Sequence, residues 1–101
     1  MSEWMEAANL EDISPGGLRV LVEDEEILLV NVGEGVRAMS YLCSHQDMPL
    51  ENGNVLDGAW VCPHHGARFS LATGKALSMP ATSEIKIYDT KQVDGIIYIK
   101  L

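Results

Sequence analysis

Two short stretches, Cys43-Ser44-His45 and Cys62-Pro63-His64-His65, contain both cysteines and all three histidines of this 101-residue chain. They spell C-x-H, sixteen intervening residues, then C-x-x-H. Four soft or borderline donors at that spacing imply a bound transition metal, because thiolate and imidazole are the side chains that satisfy such ions. Gly66 directly after the second pair, with Gly53 and Gly58 between the pairs, permits tight turns around a compact centre. Two other chemistries use the same residues. A Cys43–Cys62 disulfide fits the spacing but needs an oxidising compartment and leaves the histidines without a role. A zinc site with two cysteine and two histidine ligands uses all four, although zinc pairs are more often two to four residues apart. No Ser-His-Asp or Cys-His nucleophile arrangement remains once both cysteines are committed as ligands.

The elements that must position these donors read as strands. Residues 18–22 and 27–32 are rich in branched aliphatic side chains and have strand length. The polar run Glu23-Asp24-Glu25-Glu26 between them reads as a solvated turn in preference to a docking site. Residues 36–42 are expected to add a third strand. Residues 85–88 and 96–99 flank Asp94-Gly95, a favoured hairpin dipeptide. Residues 43–83 hold three of the four prolines and four of the nine glycines, with short strands expected at 58–61 and 68–71. Trp4, Trp60 and Tyr41 read as packing residues, and the five methionines as space fillers. This pattern predicts an all-β fold, a small antiparallel β-sandwich or barrel. One domain over 1–101 is expected, with base sheets from 1–42 and 84–101 and an inserted ligand-bearing subdomain at about 43–83.

Charge narrows the partners. Seven Lys and Arg against fifteen Asp and Glu give a net charge of −8. That field repels nucleic acid and the anionic surface of a membrane. No apolar run approaches the roughly 20 residues of a membrane helix. Residues 1–36 carry nine of the acids and a single base, Arg19, whereas 37–101 are balanced at six and six. The acidic part should steer the molecule toward basic patches on protein partners. The first residues lack the basic-then-apolar pattern of a signal peptide, and two cysteines are too few for a secreted disulfide framework. A cytoplasmic location is expected.

The residues around the donors are more specific than the donors. Cys43-Ser-His-Gln-Asp-Met-Pro-Leu50, Cys62-Pro-His-His-Gly-Ala-Arg-Phe69 and Thr73-Gly-Lys-Ala-Leu-Ser-Met-Pro80 together resemble the Rieske [2Fe–2S] proteins. Within that family the likeness is to the small Rieske-type ferredoxins that serve aromatic-ring oxygenases, and it covers nearly the whole chain. The resemblance implies a cluster in which two histidines replace two cysteines on one iron. Cys43 and Cys62 would then bind one iron, and His45 and His65 the other. His64 would be a loop residue and not a ligand, and Ser78-Met-Pro-Ala81 would form the third loop beside the cluster. The implied role is an electron carrier, not an enzyme, passing single electrons from a flavin-dependent ferredoxin reductase to a terminal oxygenase. The alternative is a non-catalytic small subunit of a larger oxidoreductase, such as assimilatory nitrite reductase. An oxygenase catalytic subunit is disfavoured by length, and only His64 would remain for a mononuclear iron site.

Departures from the family pattern also carry meaning. High-potential members have an extra cysteine in each ligand loop, linked as a disulfide, where this chain has Met48 and His64. They place Ser and Tyr hydroxyls against cluster and cysteine sulfur, where this chain has Ala67 and Phe69. Hydrogen bonds to sulfur favour the reduced state, so their loss lowers the potential. A value toward the low end of the Rieske range, about −150 mV, is expected.

Overall fold

The computed structural model describes residues 4–33, 35–42, 49–63, 66–77 and 84–101. Its strands are β1 (Trp4–Asn9), β2 (Leu18–Val22), β3 (Glu25–Asn31), β4 (Val36–Ser40), β5 (Asn54–Leu56), β6 (Ala59–Val61), β7 (Arg68–Ser70), β8 (Ile87–Val93) and β9 (Ile96–Lys100). A 3-10 turn, Leu10–Asp12, follows β1. Six strands form one antiparallel sheet in the order β1-β9-β8-β4-β3-β2. Its outer strands β1 and β2 come back into contact, so the sheet is nearly closed as a barrel. The three short strands β5-β6-β7 form a second antiparallel sheet. The fold is all-β, as the sequence pattern predicts.

The run Ile27-Leu28-Leu29-Val30 in β3 explains how the two sheets are joined. A strand with one wet face alternates apolar and polar residues, but a strand covered on both faces reads as a continuous apolar run. Ile27 and Leu29 point into the barrel with Val36, Ala38, Tyr88, Ile97 and Ile99. Leu28 and Val30 point the other way, into a second core with Met39, Leu50, Trp60, Cys62 and Phe69. β3 is therefore the wall shared by both cores.

Three hairpins are closed by two-residue loops with positive φ at both positions: Glu23-Asp24, Asp57-Gly58 and Asp94-Gly95. This is the type I′ geometry, whose twist matches that of the flanking strands. The polar turn is thus shorter than the 23–26 expected from sequence, since Glu25 and Glu26 pair within β3. The last hairpin is longer than expected. Polar residues Asp89 to Gln92 continue β8 because β9 supplies their backbone partners, Asp89, Lys91 and Gln92 are exposed, and the half-buried Thr90 donates its hydroxyl to the Val36 carbonyl at 2.7 Å. β1 and β5 have no β-branched pattern and were not expected as strands. β1 exists because it pairs along β9, with a bulge between Glu6 and Ala8. β4 ends at Ser40, two residues short of the expected 42.

Candidate metal centre

The small sheet has two ends, fixed by its register. One carries Leu56, Ala59 and Ser70, and the other carries Asn54, Val61 and Arg68. The second end leads into every candidate ligand segment. Cys62 follows Val61 directly, and the segment after Leu77 starts beside Arg68, because Leu77 N–H donates to the Arg68 carbonyl at 2.7 Å. The stretch 49–53 delivers the chain from the first candidate loop into β5.

Of the four expected ligands, Cys62 is described; Cys43, His45 and His65 lie outside the described residues, as do Met48, His64 and the third-loop residues 78–81. Among the described residues no group of three or more His, Cys, Asp or Glu gathers. The structure does place the stems that hold the segments. Leu42 bridges Pro49, and Leu50 N–H donates to the Tyr41 carbonyl at 2.7 Å, closing the base of 43–48. Cys62 N–H donates to the Ala67 carbonyl at 2.7 Å and Gly66 N–H to the Cys62 carbonyl at 3.1 Å, closing the base of the second loop. The third segment is anchored by Leu77 at one side and by Ile85 N–H, which donates to the Gly74 carbonyl at 2.8 Å, at the other.

The stems are also tied to one another. Trp60, fully buried, donates its indole N–H to the Leu50 carbonyl at 2.8 Å, linking β6 to the exit of the first loop. A side chain at Gly53 would strike the Val61 carbonyl and the Trp60 ring, so only glycine lets the two backbones meet. On the outer side, the Tyr41 hydroxyl donates to Glu51 Oε1 at 3.0 Å. Partial burial pushes the Tyr41 hydroxyl pKa up, and the neighbouring Glu51 carboxylate adds to the rise. Sequence reasoning missed this bracing. Trp60 and Tyr41 read only as packing residues, and no local spacing links them to Leu50 or Glu51.

The Cys62 thiol is free and 1% exposed, and the side chains at Ala67 and Phe69 are fully buried. Among the described residues, Cys62 belongs to an apolar cluster with Trp60 and Leu50. An isolated thiolate would be costly there. A centre of two ferric ions, two sulfides and two thiolates carries no net charge, so an apolar frame around the thiol suits it. When bound, such a cluster supplies a one-electron redox couple. The side chains of Ala67 and Phe69 have no group that donates to sulfur.

Comparisons with known proteins agree with this reading of the frame. Residues 3–89 match the Rieske [2Fe–2S] domain family model. The chain is 39% identical over 90 residues to the ferredoxin component of a naphthalene 1,2-dioxygenase system from Pseudomonas putida, covering 88% of this chain and 86% of that one. It is 38% identical over 91 residues to the ferredoxin subunit of a 3-phenylpropionate/cinnamic acid dioxygenase from Photorhabdus laumondii, covering 89% and 87%. The solved ferredoxin of carbazole 1,9a-dioxygenase from Nocardioides aromaticivorans superposes with a TM-score of 0.84 at 28% identity, covering 95% of each chain.

Proposed function

Because the chain belongs to the Rieske [2Fe–2S] domain family, we propose that it is a one-electron carrier, the ferredoxin component of an aromatic-ring dioxygenase system. The observation that carries this is the 39% identity to such a component across most of both chains. Its ligands are Cys43 and Cys62 on one iron and His45 and His65 on the other, with residues 43–83 as the cluster-binding part of a single domain. The protein is not itself a catalyst. It takes electrons from a flavin-dependent reductase and delivers them to a terminal oxygenase, in the cytoplasm. Among the described residues no helix is long and apolar enough to cross a membrane.

The relatives serve systems named for naphthalene, phenylpropionate or cinnamate, and carbazole. The carrier thus stays the same kind of protein while the ring substrate changes, as expected if substrate choice belongs to the oxygenase. The protein's own residues set three things: which donors reach the irons, how dry the sulfurs are, and which surface meets the partners.

The test is metal and redox analysis of the purified chain. Equal amounts of iron and acid-labile sulfide are expected, with a Rieske-type EPR signal after dithionite. His45→Ala and His65→Ala should abolish that signal while His64→Ala retains it. Zinc in place of iron would overturn the reading. Mixing with reductase and oxygenase should give many electron transfers per carrier. A stoichiometric, non-exchanging complex with one large enzyme would favour the subunit alternative.

A further inference from the structure

Tyr41 stands where β4 has ended and the chain turns toward the 43–48 segment, and four separate contacts meet there. Its carbonyl accepts from Leu50 N–H at 2.7 Å, and its own N–H donates to the Glu26 carbonyl at 3.3 Å. Its hydroxyl donates to Glu51 Oε1 at 3.0 Å, reaching across the stem from one flank of the segment to the other. Above the ring lies Arg19, its guanidinium carbon 5.4 Å from the ring centroid. Arg19 is itself fixed, because its Nε and Nη2 donate to Glu26 Oε2 at 2.9 and 2.8 Å. The tyrosine is therefore held by the β2–β3 hairpin on one side and by the far flank of the loop on the other.

We propose that Tyr41 and Glu51 form a clasp that fixes the spacing of the 43–48 stem, making Tyr41 a positioning residue for the iron–sulfur centre. It acts through the chain it holds, without touching the centre. This rests on the reading of Cys43 and His45 as ligands. The ring of Tyr41 packs against the second core, a role that phenylalanine would keep. The hydroxyl serves the stem alone. A hydrogen bond to a carboxylate is stronger than one between neutral groups, and its partial burial protects it from competition by water. The backbone closure at Leu42–Pro49 and Leu50–Tyr41 sets the register of the stem, and the clasp limits how far its two flanks can splay.

The experiment compares the holoprotein with Tyr41→Phe, Glu51→Ala, Glu51→Gln, the Tyr41→Phe/Glu51→Ala double variant, and Tyr98→Phe on β9 as control. Three quantities are read: the rate at which visible absorbance is lost under chelator, the g-values of the reduced protein, and the melting temperature of the apoprotein. Tyr41→Phe and Glu51→Ala should each speed the loss by on the order of fivefold and broaden the EPR signal, with apoprotein melting little changed. The double variant should be no worse than either single one, because one interaction is removed in all three. Glu51→Gln, which still accepts the hydroxyl, and Tyr98→Phe should stay near wild type. Loss rates equal to wild type in both single variants would overturn the clasp, as would strictly additive effects or a matching fall in apoprotein stability. A wild-type chain that takes up no iron would overturn the cluster reading and the clasp with it; normal loading with unaltered variants would overturn the clasp alone. Should Tyr41→Phe fail to fold, Glu51→Ala against Glu51→Gln carries the same test.

Discussion

In the barrel, strands of five to seven residues pair with neighbours and fill the interior from alternate positions, whereas each strand of the small sheet has three residues. The barrel is held by repetition: removing one pair leaves many. The small sheet leans more on individual contacts, such as the Trp60 indole on the Leu50 carbonyl and the close approaches at Gly53 and Gly74. The segments that would do chemistry hang from the sheet with the shorter strands. A ligand centre needs irregular backbone to aim its donors, and that backbone must be held by something other than ladders. The comparison predicts that equal insults will cost more in the small sheet.

The largest effect should come from glycines of similar conformation in the two regions. Gly74 has φ +82° and Gly95 has φ +79°. A methyl group at Gly95 meets nothing within 4 Å, whereas at Gly74 it would collide with the carbonyl of Ile85, the residue whose N–H closes the third segment. Gly95→Ala should cost about 1 kcal/mol, the price of a side chain in the left-handed region. Gly74→Ala should cost on the order of 3 kcal/mol or more and lose iron before the barrel unfolds. Thermal melts followed at once by visible absorbance and far-UV circular dichroism check this; similar losses for both variants would erase the contrast.

Next comes Trp60→Phe, expected to cost about 2 kcal/mol because the Leu50 carbonyl loses the shorter of its two hydrogen bonds, keeping only the Gly53 N–H at 3.3 Å, and a cavity opens. Ile97→Val in the barrel core, also fully buried, should cost about 1 kcal/mol. Denaturant unfolding of the two variants measures the difference directly.

These contacts also mark where sequence reasoning ends. The apolar run at 27–30 and the dipeptide Asp94-Gly95 are local signals, and both announce their structure, as β3 and a hairpin turn. The Cys and His spacing with its flanking words announces the family. β1 is not legible because its pairing with β9 joins residues from opposite ends of the chain. Nor is the bracing. Tyr41 and Glu51, or Trp60 and Leu50, are ten residues apart on a path whose shape exists only after the loop has closed. A period of two or 3.6 carries no information about such a pair.

The third prediction concerns redox tuning within the small sheet. Ala67 and Phe69 are both fully buried in the same apolar cluster as Cys62. Ala67→Ser adds a hydroxyl with little extra volume, and a new hydrogen bond to sulfur should raise the midpoint potential. At about 1 kcal/mol per neutral hydrogen bond, the rise for a one-electron couple is roughly 40 mV. Phe69→Tyr should act in the same direction if the hydroxyl fits. A substitution in the barrel, such as Ile97→Val, should leave the potential unmoved. An unchanged potential in Ala67→Ser, with intact iron content, would mean that its hydroxyl points away from sulfur.

The smallest effect is expected at high pH, and there the two regions should respond alike. Tyr88 in the barrel core has its hydroxyl pKa raised from 10.0, first by burial and then by the nearby Glu25 carboxylate. Tyr41 beside the second core is raised by burial and by Glu51, with Arg19 opposing. In the unfolded chain both would lose their protons near the ordinary value while the folded chain keeps them. The folded state then binds more protons, so stability is full below about pH 10 and falls as pH rises through the folded pKa values. Tyr88→Phe should flatten this alkaline limb of the unfolding curve without changing its plateau near neutrality beyond the loss of packing. Tyr41→Phe should flatten it as well, since burial and the Glu51 carboxylate hold the proton there against the opposing Arg19. Denaturant midpoints measured from neutral pH to pH 11 check both. If the alkaline limb is unchanged in both variants, neither phenol is more desolvated folded than unfolded, and the two cores admit water equally.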